Sequence, residues 1–259
     1  MSAHAAPRPA RSPSFAASFG AIFTGQLARA RTAAIPIFLA ATLRSVGLVV
    51  LLKGLVDTTS DVTEQSVVAG SSVTVVSFVA LNLLAQRFGA LKASGALDYF
   101  GALPAPPSAI VTATAAAWAS FTVPGSVLVA VGGAIFYRLP LANVWVIVPV
   151  VVAAGISLAG LGALLGLIAP RPEIATVAGQ LGMSLVMFLG LVPAHRLPGV
   201  IQAVRAIVPS TYAVDAFAES FRSSPRWATV SLDLGICVGV CALALFAGAW
   251  AFRRAVTSR

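Results

Sequence analysis

The sequence predicts an all-α integral membrane protein: six transmembrane helices, an N-terminal interfacial amphipathic helix, and an outer helical hairpin between the fifth and sixth spans. Three observations predict it. Of 259 residues, 58% are hydrophobic and 10% charged, with mean hydropathy +0.94, whereas soluble domains sit near one-half apolar and one-quarter charged. Apolar runs of about 20 residues, the length that crosses a hydrocarbon core of about 30 Å, recur along the chain. Basic residues collect at the ends of those runs and form no stripe with interleaved aromatics. The net charge of +9 therefore orients the chain in a lipid bilayer and does not mark a nucleic-acid surface.

Residues 1–13, rich in Ala, Pro, Ser and Arg, read as a disordered tail. Over 14–31, Phe15, Phe19, Phe23 and Leu27 recur every fourth residue, while Ser14, Ser18, Thr24, Arg29 and Arg31 fall elsewhere. That period fits a helix lying in the membrane interface, aromatic side down. A cleavable signal peptide is the rival reading, and it calls for a compact apolar core followed by a small-residue cleavage site. Here the next apolar run leads on into more membrane sequence. Six spans follow by hydropathy, at about 35–55, 67–84, 110–136, 144–168, 174–192 and 232–252, within one transmembrane domain over 1–259.

With the N-terminus inside, the inner segments carry Arg8, Arg11, Arg29, Arg31, Arg87, Lys92, Arg171, Arg253, Arg254 and Arg259. The outer ones carry Arg138, Arg196, Arg205, Arg222 and Arg226, and the first outer loop holds Asp57, Asp61 and Glu64 with no Lys or Arg. Both termini are therefore expected in the cytoplasm and the chain in the cell membrane. Gly162 and Gly166 in the fourth span, and Gly235 and Gly239 in the sixth, have the four-residue spacing that lets helix backbones approach. Pro36, Pro124 and Pro149 are expected to bend their helices.

Sites for covalent chemistry are scarce. No Walker A pattern, His-Glu-x-x-His pair or nucleophile elbow occurs. No catalytic residue, metal site or bound cofactor is expected. His4 and His195 lack neighbouring ligand types, and Cys237 and Cys241 share one helix face as small apolar residues. The spans hold few acids; Asp233 is placed at the start of the sixth, within reach of water. Arg44 is the exception, about 14 Å along the axis from Ile35 and near mid-membrane. Two placements fit it: a polar translocation surface, or snorkelling toward an interface. Lys53 reaches the outer interface more easily.

The connection before the last span, "LPGVIQAVRAIVPSTYAVDAFAESF", alternates apolar and polar residues. Val200, Val204 and Ile207 share a helical face, Pro209 interrupts, and a second helix starts near Ser210 or Thr211 as N-cap, with Asp215 near its positive end. Two short helices dipping into the outer leaflet and a folded outer cap both suit it.

The stretch "GALDYFGALPAPPSAI" at 95–110 breaks the apolar pattern. Ser94 can cap a short helix with Asp98 in its first turns. Ala96, Phe100 and Leu103 then form one face, and Pro104, Pro106 and Pro107 stop it. At a cytoplasmic loop such a helix suits docking into a groove of a soluble partner, or rests on the membrane surface.

This stretch resembles the corresponding loop of ABC-2 type permeases, membrane subunits of ABC exporters of the drug-resistance kind. The family's Gly-x-Leu-(Asp/Glu)-x-(Leu/Phe)-x-x-Leu-Pro is matched by Gly95, Leu97, Asp98, Phe100, Leu103 and Pro104, with Ala96 and Tyr99 at variable places. "VPSTYAVDAF" is similar to the family's Pro-x-Thr-Tyr-x-x-Asp-Ala before the last span, through Pro209, Thr211, Tyr212, Asp215 and Ala216. The sequence departs from the family in two places. The arginine often found soon after Asp-Ala arrives later, as Arg222, and "PAPPS" replaces a more basic turn.

The resemblance implies a dimer of this chain, or a pair with a sister permease, on which a separate ATP-binding subunit docks through 95–104. ATP and Mg would be bound and hydrolysed in that partner, and this chain would be non-catalytic. Family members move drugs, polyketides, lipids and glycans; the apolar spans favour a hydrophobic or amphipathic cargo. The competing readings are a secondary carrier, which would show an internal repeat, a membrane-embedded enzyme acting on lipid or peptide, which would need convergent polar residues, and a scaffold.

Overall fold

A computed structural model of the chain describes residues 14–55, 61–192, 198–222 and 224–257. The tail read over 1–13 lies outside these, as do Asp57, His195 and Arg196. Among the described residues, six helices are long and apolar enough to cross a membrane.

The first helix, α1 (Phe15–Leu55), is a single element of 41 residues. The sequence reading separates an interfacial helix from a first span, but the structure joins them. The intervening "ARARTAA" is built from strong helix formers and holds no breaker before Pro36. At about 1.5 Å per residue, α1 is about 60 Å long, twice the hydrocarbon core, so its N-terminal half extends beyond the span. On that half Phe15, Phe19 and Phe23 stack in succession, 6.2 and 5.8 Å between ring centroids. Ser18 and Gln26, on another side, are buried.

The second span is longer than its hydropathy peak. It runs through α2 (Asp61–Val76), a π-helical segment (Ser77–Leu83) and α3 (Leu84–Ala93). Hydroxyls lead into the π segment: Ser72 and Thr74 before it and Ser77 at its first position donate to the carbonyls of Val68, Gly70 and Val73. Such back-bonding loosens the i to i−4 ladder. This span is the centre of the molecule, with 89% of its most apolar window buried against 22% for the first and last spans.

A six-residue helix, α4 (Ala96–Gly101), precedes α5 (Pro107–Tyr137). Pro107 occupies the first turn of α5, where a missing N–H costs nothing, and Pro124 lies inside. A short 3-10 turn (Val144–Val146) leads into α6 (Ile147–Ile168). Pro149 thus falls in the first turn of α6 and breaks no ladder, unlike the expectation for it. Then come α7 (Pro172–Leu191), the hairpin of α8 (Gly199–Ile207) and α9 (Pro209–Ser220), and α10 (Trp227–Thr257). The last helix overruns its predicted span at both ends.

The central span packs against α5, α6 and α7, α1 lies on α5 and α2, and α10 lies on α6. Gly162 makes the inner contact close. A methyl placed there would lie 2.6 Å from the Leu81 carbonyl oxygen and 2.8 Å from that of Ala80, both in the π segment. Gly166 meets α3 in the same way. Gly235 and Gly239 do not follow this pattern. Both face open space on the outer side of α10, so the shared spacing carries a helix contact in only one of the two pairs.

Candidate functional site

Two ends of the bundle differ chemically. The basic end holds Arg87, Lys92, Arg253 and Arg254; the hairpin end holds α8, α9 and the charged residues around them.

At the basic end, α3 stops at Ser94, whose amide donates to Ala90 and whose hydroxyl donates to the Leu91 carbonyl at 3.2 Å. Ser94 therefore closes the preceding helix and does not cap α4. Gly95, at φ 74, makes the left-handed turn between them, a conformation that favours glycine. The buried side of α4 is Leu97 and Phe100, 3% and 9% exposed, in place of the expected Ala96, Phe100 and Leu103. In a helix this short the face is set by where the turn delivers the chain, and Leu103 lies past its end. Phe100 lines a small gap with Phe88, Ile110 and Phe252, so it anchors the loop to its own bundle. Tyr99 is 63% exposed, and Asp98, Ala102 and Pro104 are exposed beside it. The outward surface of the predicted docking stretch is thus Asp98, Tyr99 and Pro104.

Arg87 ties three elements together there. Its guanidinium donates to the Gln26 side chain at 3.3 Å and lies 5.4 Å from the Trp118 ring centroid. Lys92 donates to the carbonyls of Leu167 and Ala169, at 2.7 and 2.9 Å, which closes the end of α6.

Arg44 is half-buried on α1 and points its guanidinium at the Met183 sulfur of α7, 3.5 Å away. Met183 is fully buried near the middle of the fifth span. The charge therefore sits at mid-depth against protein, and no ion pair includes it among the described residues.

At the hairpin end Pro209 is the first residue of α9 and Val208 its cap, so neither Ser210 nor Thr211 has the N-cap role expected of it. The proline's fixed φ suits the first helical position, which moves the start forward. Thr211 instead donates to the carbonyls of Arg205 and Val208, each at 2.7 Å, and so latches α8 onto α9. Tyr212 is half-buried behind it. Arg205 pairs with Asp215 across the hairpin and donates to the Val192 carbonyl at 3.3 Å. Asp215 lies mid-helix, too far along for the helix N-terminus to act on it. Burial raises its carboxyl pKa, while Arg205 pulls the other way. Lys53 caps the hairpin end of the first span, donating to the Phe136 carbonyl at 2.6 Å and lying over its ring.

Two polar features escape sequence reasoning, Glu219 and the Asn82–Gln86 pair, and a third, Asp233, is placed wrongly by it. Glu219 is 5% exposed and pairs with Arg226 at 2.6 Å and Arg222 at 3.1 Å. The late Arg222 therefore still serves an acid of α9. Asp233 is 6% exposed, although it was expected to reach water. It is covered because α9 packs across the start of α10. Asn82 and Gln86 bond to each other at 3.0 Å inside the central span. Their spacing of four residues in an apolar run is the signal that could have found them.

A comparison with curated proteins returns no match. The family model described as ABC-2 type transporter matches residues 17–221, which runs from the N-terminal half of α1 through α9 and includes both stretches that carry the resemblance. The chain belongs to the ABC-2 type transporter family, and it is the multi-pass membrane component of an ABC transporter.

Proposed function

We propose that the chain is the permease subunit of an exporter, driven by a separate ATP-binding subunit that docks at the basic end. The observation that carries this is the two-sided α4. Leu97 and Phe100 lock it to the bundle, while Asp98 and Tyr99 project outward beside Pro104. A firmly mounted helix with an exposed aromatic and an acid can transmit force from a soluble partner, because its mounting side cannot yield without disturbing the core. Through Phe252 and Val256 that mounting reaches α10, and through Phe88 it reaches the central span.

In this reading the basic end is cytoplasmic, as are both termini, and the bilayer is the cell membrane. ATP and Mg belong to the partner, and the chain itself is non-catalytic. Two permease chains, the same one twice or with a sister, enclose the path, and Arg44 contributes a positive charge to it at mid-depth. The test is ATPase stimulation in reconstituted vesicles. Tyr99→Ala with Asp98→Arg is expected to reduce stimulation at least about tenfold, an effect of ~1.4 kcal/mol or more, while membrane insertion and thermal stability stay unchanged. Full stimulation by that variant would remove α4 from the contact.

A further inference from the structure

Arg44 lies about 14 Å along α1 from Ile35 and about 15 Å from Gly54, the two ends of its span. A guanidinium brings five N–H donors in a planar fork. Among the described residues its one polar partner is the Met183 sulfur, at 3.5 Å. A thioether is a weak and neutral acceptor. A cation at this depth is costly unless it meets an opposite charge or water, and a single sulfur supplies neither. Snorkelling does not relieve it. The side chain runs sideways from α1 to the middle of α7, and both helices rest on the central span.

The chain offers no acid to neutralise this charge, in one copy or in a second. Its eight Asp and Glu residues fall in connections, in α4, in the hairpin or at the ends of spans. Asp233 reaches furthest into a span, and it is only about 9 Å along α10 from Trp227. On α1 itself the surroundings of Arg44 are apolar. Ile37, Ala40, Leu48 and Leu51 stand four or seven residues away, share its stripe of the helix, and are exposed or half-buried. One cation is thus set between two apolar stretches of the same stripe.

We propose that Arg44 binds the anionic head of an amphipathic cargo, a carboxylate or phosphate monoester on a hydrocarbon tail. This rests on the reading that Arg44 lines a path between permease chains, and it narrows the cargo from amphipathic to acidic. The planar fork takes two oxygens of the head at once. The tail lies along Ile37 and Ala40 or along Leu48 and Leu51. Headgroups of resting bilayer lipids do not reach the site, since each interface is about 15 Å away. A neutral cargo of the same shape gains nothing from this contact, and a cationic one is repelled.

The test is ligand binding to the purified full chain in phosphatidylcholine nanodiscs, without ATP or a partner subunit. The probe is dansyl-undecanoic acid, compared with its methyl ester and read by the rise in dansyl fluorescence over empty nanodiscs. Wild type is expected to bind the acid at about tenfold lower concentration than the ester, the effect of one charge-assisted contact. R44Q is expected to lose that preference, and R44K, which keeps the charge without the fork, to retain part of it. Dodecyl phosphate is expected to displace the acid, and millimolar inorganic phosphate to leave it bound. Equal binding of acid and ester by wild type overturns the proposal, whether or not R44Q folds. So does an unchanged preference in R44Q, or displacement by inorganic phosphate, which would make the site one for free anions. A preference abolished by R44Q in a chain that recovers no ATPase from cells would keep the acidic ligand and remove the exporter.

Discussion

Phe100 and Tyr99 are neighbours with opposite surroundings, one 9% and the other 63% exposed. Phe100→Asp places a charge in the small apolar gap under α4, and a loss of several kcal/mol is expected, about 3 or more. It should appear as a much lower melting temperature in detergent. Tyr99→Ala is expected to melt within a degree or two of wild type. The sequence could mark 95–104 as a distinct element, because glycine and the prolines bound it. It could not tell which side faces inward: six residues make fewer than two turns, and both Ala96 with Phe100 and Leu97 with Phe100 satisfy helical spacing. The glycines make the same point. Gly162→Ala, against the π-segment carbonyls, is expected to cost about 1–3 kcal/mol through overpacking. Gly239→Ala, facing open space, is expected to be neutral or to stabilise by up to about 1 kcal/mol. Thermal unfolding of the two purified variants distinguishes a buried contact from a shared spacing.

Elements were more legible than faces. Pro209 divides α8 from α9 in the structure as in the sequence, because a ring-locked residue without an N–H cannot continue a helix. The start of α5 at Pro107 follows from the same rule. Continuations were harder to read. Nothing in hydropathy distinguishes a 41-residue helix from an interfacial helix joined to a span, since the joining residues favour helix whatever their depth. The π segment was also invisible, because widening the ladder by one residue leaves the apolar run unbroken. Within the hairpin, the latch from Thr211 and the Arg205–Asp215 pair hold α8 to α9. Thr211→Val is expected to cost about 1 kcal/mol and to raise hydrogen exchange selectively across 199–220. Uniform exchange throughout the chain would show that the latch is not local.

At the scale of the whole molecule, the central span is wrapped by α5, α6 and α7 with α1 on one side, and the charges separate into a basic end and a hairpin end. Composition and run length sufficed for the membrane class and the number of spans. The order of the two resemblance stretches sufficed for the family. Arg44 was legible as an outlier in an apolar run, but its partner was not, because Met183 lies in another span and is itself unremarkable in sequence. The orientation argued from loop charges has a direct check. Fluorescent-protein fusions at either terminus are expected to fluoresce, and alkaline phosphatase fused after Ser220 is expected to be active. The reverse pattern would invert the placement of every cytoplasmic feature.

The proposed role as the membrane half of an ATP-driven exporter requires a bound ATPase. The most direct measurement is to tag the C-terminus, solubilise membranes of the native cell gently, and identify the co-purifying chains with their stoichiometry. A Walker-type ATPase is expected in stoichiometric amount, lost when Asp98 and Tyr99 are replaced together. A clean preparation with no ATPase, repeated in a milder detergent, would contradict it.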